Sequence, residues 1–282
     1  MRLGPALLLA LLLPACVQAA TTTAPQRIMS LMQCNDLLLL AMVPKRRITS
    51  VTYLAHDAVQ AIMPGADRGV AINHGTTEEI LKERPDLILA GTYSTPVARR
   101  LAKQVGARLV EIDPVNSFED ARRVTRQIGA LVGEPERAEA MVARMDATLR
   151  DLAATRPAKA VTVAAWSGNG SVAGRGTLFD EIIRTAGATN IAAKMDDSRY
   201  SSFGTEELLA ARPDAILIGQ DSWARPSLSA ELAQHPLVRQ LYKKRTITYP
   251  VPPITCGLPQ AAEVARDLRR ALSALPPGEP AW

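Results

Sequence analysis

One segment occurs twice in this chain. Residues Thr77–Gly91 read TEEILKERPDLILAG, and Thr205–Gly219, 128 positions later, read TEELLAARPDAILIG, with ten of the fifteen positions identical. One copy in each half specifies two lobes on a related plan and argues against a solenoid of many short repeats. Each copy also has a local meaning. Thr77 and Thr205 are expected N-caps, and the two glutamates after each suit the positive end of a helix. The residue before a proline avoids the helical region, so each helix is predicted to stop at its Arg-Pro-Asp step. An apolar run ending in glycine follows, the pattern of a strand buried on both faces. The unit is helix, turn, buried strand.

The same alternation runs through the rest of the chain. Strands are predicted at Arg27–Leu31, Arg47–Thr52, Asp86–Ala90 and Arg108–Ile112, with helices at Asp36–Met42 and Pro96–Val105. In the second half strands are predicted at Lys159–Trp166, Asp214–Ile218 and Thr246–Tyr249, and helices at Leu178–Ala186, Glu206–Ala211 and Gln260–Ala274. Strands alternating with helices imply parallel sheets covered on both faces. Between the halves, Glu134-Pro135-Glu136 opens a helix in which Ala138, Met141, Val142, Met145, Leu149 and Leu152 share one face. From Pro135 to about Ala154 it would span ~30 Å and act as a stiff connector. The expected architecture is α/β, with two Rossmann-like lobes of mostly parallel sheets joined by one long linker helix.

The first residues do not belong to that plan. Arg2, the apolar run Leu3–Leu13, Pro14 and small residues up to Ala19-Ala20 have the layout of a secretory signal peptide, too short for the ~20 residues of a membrane-spanning helix. Lipid attachment at Cys16 is the competing reading. The expected organisation is residues 1–20 signal peptide, 21–133 N-terminal lobe, 134–156 linker helix and 157–282 C-terminal lobe. Export places the mature chain outside the cytoplasm, soluble or tethered by lipid, and permits a disulfide between Cys34 and Cys256. A clip across the cleft, a thiol pair touching the ligand and two unrelated buried cysteines all remain open readings. The net charge of +5 is not gathered into a basic stripe with aromatics, so no nucleic-acid partner is expected.

With Arg27–Leu31 opening the mature chain, the paired Glu-Glu…Arg-Pro-Asp units, the helix between lobes and the late Leu241-Tyr242…Ile247–Pro250 strand, the chain resembles a known group. It is similar to the periplasmic binding proteins for ferric siderophores, haem and vitamin B12 that serve ABC importers. The resemblance covers roughly residues 25–275. It implies a monomeric carrier that holds a metal chelate between its lobes, a ferric siderophore ahead of a corrinoid or haem. It also implies a partner, the inner-membrane permease, reached through one carboxylate per lobe. By position in the repeats these are Glu78 and Glu206, whose plain alternative is stabilisation of two helix N-termini.

In open parallel sheets ligands sit beyond the carboxyl ends of the strands, so the loops leaving the predicted strands nominate the site. They give Gln33, Cys34 and Asn35, then Tyr53 and His56, Asn73 and His74, and Thr92 and Tyr93. In the second lobe they give Trp166 and Asn169, Gln220, Asp221 and Trp223, and Cys256. Arg175, Arg199 and Tyr200 lie in polar stretches able to face the same cleft. Aromatic residues there suit a macrocycle or catechol, and amides and arginines suit its carboxylates. Each has a plain alternative as a packed or solvated loop residue.

Parts of the sequence also fit two other functions. His56 and His74 are candidate ligands for bare zinc or manganese, but a cage needs three or four ligands, and His235, before Pro236, fits a helix-ending turn. An exported α/β enzyme is the remoter alternative. The glycine-rich stretch 168–174 follows a strand, but the acidic residue a dinucleotide site requires is not placed. No bound cofactor or catalytic set is predicted.

Overall fold

The computed structural model describes residues 24–92, 96–157, 161–166, 171–195, 200–202, 204–220, 231 and 235–278. The first lobe runs β1 (Ile28–Ser30), α1 (Gln33–Met42), β2 (Ile48–Thr52), α2 (Ala55–Ile62), β3 (Ala71–Asn73), α3 (Thr77–Glu83), β4 (Leu87–Gly91), α4 (Pro96–Gln104) and β5 (Arg108–Ile112). Two long helices follow, α5 (Phe118–Val132) and α6 (Pro135–Ala154). The second lobe begins with β6 (Thr162–Ala165), β7 (Ser171–Ala173), α7 (Leu178–Thr185), β8 (Thr189–Asn190) and β9 (Tyr200–Ser202). It continues through α8 (Thr205–Ala211), β10 (Ala215–Gly219), α9 (Pro236–Leu241), β11 (Thr246–Tyr249), α10 (Pro252–Thr255) and α11 (Ala261–Ser273).

The repeated segment folds as helix, turn and strand in both lobes, with its caps shifted by one residue. The cap of α3 is Thr76, not Thr77: its hydroxyl accepts from the Glu79 amide while the Glu79 carboxylate accepts from the Thr76 amide, a reciprocal capping box. In α8 the matching position is Gly204, so only half of that arrangement survives, with Glu207 accepting from the Gly204 amide at 2.8 Å. Both helices end on an arginine in the left-handed region, Arg84 at φ 43° and Arg212 at φ 45°. The strands that follow, β4 and β10, are buried along their whole length.

The first sheet is parallel in the order β3-β2-β1-β4-β5, and the second is parallel in the order β11-β10-β6-β8. A small antiparallel pair, β7 with β9, stands apart. In the first sheet the chain reverses direction between β1 and β4, and in the second between β6 and β10. Such switch points open crevices at the strand carboxyl ends.

Helix α6 covers the span the sequence predicts for the linker. Its Ala138 and Met141 pack in the first lobe's core, and its Met145 and Leu152 in the second's. Helix α5, which the sequence reading did not assign, runs antiparallel to it: Val124, Ile128 and Val132 serve the first core, Phe118 and Ala121 the second. Each such buried Leu, Val or Met contributes about 1.5–3 kcal/mol. Gly129 permits the close approach, since a Cβ there would overlap the Ala138 Cβ. Arg47 fastens the first-lobe end of the pair: its guanidinium meets Glu134 at 2.8 Å and donates to the carbonyls of Pro25 and Val132. Arg269 fastens the other end, donating to the carbonyls of Leu152 and Thr185 at 2.6 Å each.

Several sequence expectations need correction. Gln33, Cys34 and Asn35 lie in the first turn of α1, which starts three residues before the predicted Asp36. No side chain caps that helix, so the sequence carries no start signal there. His56 belongs to α2, and Asn73 closes β3. His235 stands at the N-cap position of α9, and residues 232–234 before it lie outside the described residues.

Candidate functional site

The two switch points open into adjoining cavities. The first-lobe cavity, about 210 Å³, lies beyond β1 and β4 and is lined by Met32, Cys34, Asn35, Thr92, Ile112 and Asp113, among others. The second-lobe cavity, about 380 Å³, lies beyond β6 and β11 and is lined by Trp166, Val172, Leu178, Phe179, Tyr249 and Ile254, among others. Val115, Asn116 and Thr255 line both, so the two form one cleft divided by these residues. Val115 and Asn116 lie between β5 and α5. Thr255 belongs to residues 252–258, which cross from the second lobe to the first.

That crossing segment is bonded to the first lobe. Cys256 forms a disulfide with Cys34, Cα to Cα 4.8 Å, across 222 residues of sequence. Cys256 and Leu258 are buried in the first lobe's core although their chain comes from the second lobe. Gly257 lies between them at φ 60°, and a Cβ there would overlap Val115. The clip that the sequence left open is therefore formed, and both cysteines line the first-lobe cavity.

The second-lobe wall is apolar and aromatic. Phe179 and Tyr249 pack with ring centroids 4.8 Å apart at 49°. Trp166 is 2% exposed and serves as wall rather than as an open stacking platform. Asn35 is buried and donates to the Ala90 carbonyl at 3.2 Å, tying the first turn of α1 to β4 beside the first switch point. Beneath it lies Asp36, fully buried, accepting from the Thr52 hydroxyl at 2.5 Å and the Thr52 amide at 3.2 Å. Burial pushes this carboxyl up to about 6 against the lesser pull of its hydrogen bonds.

Other nominated residues sit elsewhere. Tyr53 stacks on His74 at 5.1 Å and 16°, and both are exposed at the carboxyl ends of β2 and β3, outside the two cavities. Glu79 holds His74 through its amide at 2.9 Å and its ring at 3.4 Å. Hydrogen bonds, the Thr76 amide first, keep the Glu79 carboxyl down at about 2. His56 pairs separately with Asp67 at 2.7 Å, and among the described residues no group of three His, Cys, Asp or Glu is arranged to hold a metal ion. Gln33 donates to the Leu54 carbonyl at 2.7 Å. Asn73 is buried and donates to the Ser30 carbonyl and the Ser50 hydroxyl, both at 2.9 Å. Arg175 turns to the Ala193 carbonyl at 3.1 Å, and Gln220 is exposed. Tyr200 is described only as part of β9, while Tyr93, Asn169, Arg199, Asp221 and Trp223 lie outside the described residues.

Glu78 and Glu206 occupy the same position in α3 and α8, and both are exposed. The residues that sequence reasoning missed are Val115, Asn116, Leu178, Phe179, Tyr249 and Thr255. Tyr249 ends a predicted strand and Val115 follows another, so the strand-end rule already contained them.

Compared with known proteins, the family profile described as "Periplasmic binding protein" matches residues 28–243. The chain belongs to the periplasmic binding protein family. The members of this family are extracytoplasmic solute carriers, not enzymes. Solved structures agree on the fold of this periplasmic binding protein. The periplasmic haem-binding protein HutB of Vibrio cholerae is 19% identical with a TM-score of 0.72, over 88% of this chain and 98% of that one. The periplasmic haem-binding protein RhuT of Roseiflexus sp. RS-1 is 22% identical with a TM-score of 0.69, over 87% and 97%. The periplasmic vitamin B12-binding protein BtuF of Vibrio cholerae is 20% identical with a TM-score of 0.62, over 89% and 97%. Curated protein sequences contain no match.

Proposed function

We propose that this periplasmic binding protein captures a metal chelate in the cleft between its lobes and delivers it, as a monomer, to an inner-membrane ABC permease. The observation that carries the reading is the pair of adjoining cavities at the two switch points, sharing Val115, Asn116 and Thr255. The larger one is walled by Trp166, Phe179, Tyr249, Leu178 and Ile254, with no Lys or Arg among its described lining residues. An apolar, aromatic wall suits a cargo with a broad organic face, such as a tetrapyrrole or an aromatic siderophore, better than a small hydrated ion. The structural neighbours that bind haem and vitamin B12 support that class. Haem therefore stands first in this class, with ferric siderophores and corrinoids as its other members. Bare metal is not favoured: His56 and His74 pair with different carboxylates, and among the described residues no three His, Cys, Asp or Glu are grouped to hold an ion.

Docking through Glu78 and Glu206 belongs to the same proposal. The neighbouring Glu79 and Glu207 already serve the helix starts, so the capping role does not require the exposed pair. Export by a cleaved leader at residues 1–20, or anchoring by lipid at Cys16, completes the reading; mass spectrometry of the mature chain distinguishes the two.

The test is the thermal shift of the mature protein against haem, cobalamin, ferric siderophores of several types, free zinc and free manganese. A ligand at ~100 times its dissociation constant stabilises by about 2.7 kcal/mol, a shift of a few degrees. A selective response to one chelate supports the proposal and names the cargo. A response to free metal alone overturns it.

A further inference from the structure

The disulfide joins the two lobes where the ligand would sit, and the remaining attachments of the crossing segment are weaker in kind. Among the described residues the amides of Cys256, Gly257 and Leu258 bond to carbonyls of Pro252, Ile254 and Pro253, all within the segment itself. Its hold on the first lobe consists of the covalent bond to Cys34, the burial of Cys256 and Leu258, the seating of Gly257 on Val115 and the packing of α10 against α2. Beside it, α5 and α6 bridge both cores as well. With the disulfide formed, the segment that carries Thr255 of the cleft wall is covalently tied to the first lobe; with it broken, only packing holds it down.

We propose that Cys34–Cys256 is a redox-operated latch on the cleft: breaking it frees residues 252–258 from the first lobe and speeds ligand release. Cys34 is partly exposed and lines the first-lobe cavity, so an external dithiol has a route to its sulfur. One reductant thiolate attacks the Cys34 sulfur, making a mixed disulfide while Cys256 leaves as a thiolate and takes up a proton. The second reductant thiol then attacks the mixed disulfide and closes a cyclic disulfide, releasing Cys34 as a thiol. The protein gains two electrons and two protons, and the dithiol loses them.

The effect on ligand release rests on the function proposed above, but the release of the segment does not. Hydrogen exchange of the ligand-free mature chain, with and without dithiothreitol, therefore decides the latch. Amides 256–258 are expected to exchange at least tenfold faster after reduction, while the core strands β4 and β10 keep their protection. Unchanged protection of 256–258 in fully reduced protein would overturn the proposal, as would equal loss across both cores. A Cys34→Ser/Cys256→Ser variant should reproduce the reduced pattern; if it does not fold, reduced wild type still decides. With haem as probe, dissociation should quicken about tenfold on reduction. If haem fails to bind the oxidised protein, that counts against haem as cargo, and the exchange result alone judges the latch.

Discussion

Asp86 and Asp214 perform the same task 128 residues apart. The Asp86 carboxylate accepts from the amides of Gln26 at 2.7 Å and Arg27 at 3.1 Å, clamping the start of β1. Asp214 accepts from the Thr162 amide at 2.7 Å and its hydroxyl at 2.9 Å, clamping the start of β6. The repeated aspartate thus fixes the opening strand of each lobe to the strand that follows its own helix. Alanine at either position strands these donors. Asp86 is exposed and Asp214 half-buried. Asp214→Ala is therefore expected to cost about 1.5–3 kcal/mol and Asp86→Ala about 1 kcal/mol or less. Urea unfolding of the two variants checks the order; an equal or reversed loss refutes this account of the repeat.

The arginine two residues before each aspartate carries a backbone cost. Arg84 caps α3 at φ 43°, a left-handed conformation that glycine adopts without the Cβ clash. Arg84→Gly is expected to stabilise the protein, by up to about 1 kcal/mol after the greater unfolded-state entropy of glycine is subtracted. Thermal unfolding would show a rise in Tm of a few degrees at most. A clear fall would mean that the arginine side chain contributes more than its backbone strain removes.

The fold was legible where side chains declare a boundary. Pro135 at the first turn of α6 and the Arg156-Pro157 step after it delimit that helix, and the Arg-Pro-Asp steps delimit β4 and β10. It was not legible at α1, whose start has no capping side chain, or at β3, a three-residue edge strand with Ala71 and Ile72 exposed. Helix α5 carried its signals, a Ser117 cap and Gly133 after its last turn, and the reading began the helical span too late to use them. At the cleft, the strand-end rule found Cys34, Asn35, Thr92, Trp166 and Cys256, which do line it. It could not say that Trp166 would be buried or that Cys34 and Cys256 would meet, since both depend on how the lobes pack.

Asp36 makes stability depend on pH in an unusual direction. Its folded carboxyl sits at about 6, above the ~3.9 of an unfolded aspartate. The folded state therefore binds this proton more tightly. The resulting stabilisation is fully present below about pH 4 and is lost as pH rises through about 6. Asp36→Asn removes the titration, so wild type is expected to lose ground to the variant by on the order of 2 kcal/mol between pH 4 and pH 7. Parallel denaturation curves at the two pH values measure the difference. A constant gap between the two proteins would show that Asp36 does not titrate in this range.

Glu78 and Glu206 can be separated from ligand capture. Both are exposed and lie outside the described walls of the cleft. Glu78→Arg with Glu206→Arg is expected to leave ligand affinity within about twofold while abolishing uptake in cells that depend on this carrier. Loss of an exposed i,i+4 or dipole contact costs only a few tenths of a kcal/mol, so Tm should hardly move. Undiminished uptake by the double variant would remove the docking role from these residues.

The seating of Gly257 on Val115 makes a final prediction about the crossing segment. Alanine at Gly257 takes on two burdens: a left-handed backbone at φ 60° and a Cβ overlapping the Val115 side chain. Gly278, at φ 86° with nothing within 4 Å of a new Cβ, carries the first burden alone. Gly278→Ala should therefore cost about 1 kcal/mol, and Gly257→Ala about 1–3 kcal/mol more from overpacking. Adding Val115→Gly, which removes the overlapping Cβ as well as the methyls, to Gly257→Ala should recover part of the excess, a coupling that a double-mutant cycle measures directly. Additive losses would mean that the two residues do not press on each other. A positive coupling would place the divider of the cleft and the disulfide-bonded segment in one mechanical unit, so that moving either moves the wall the ligand rests on.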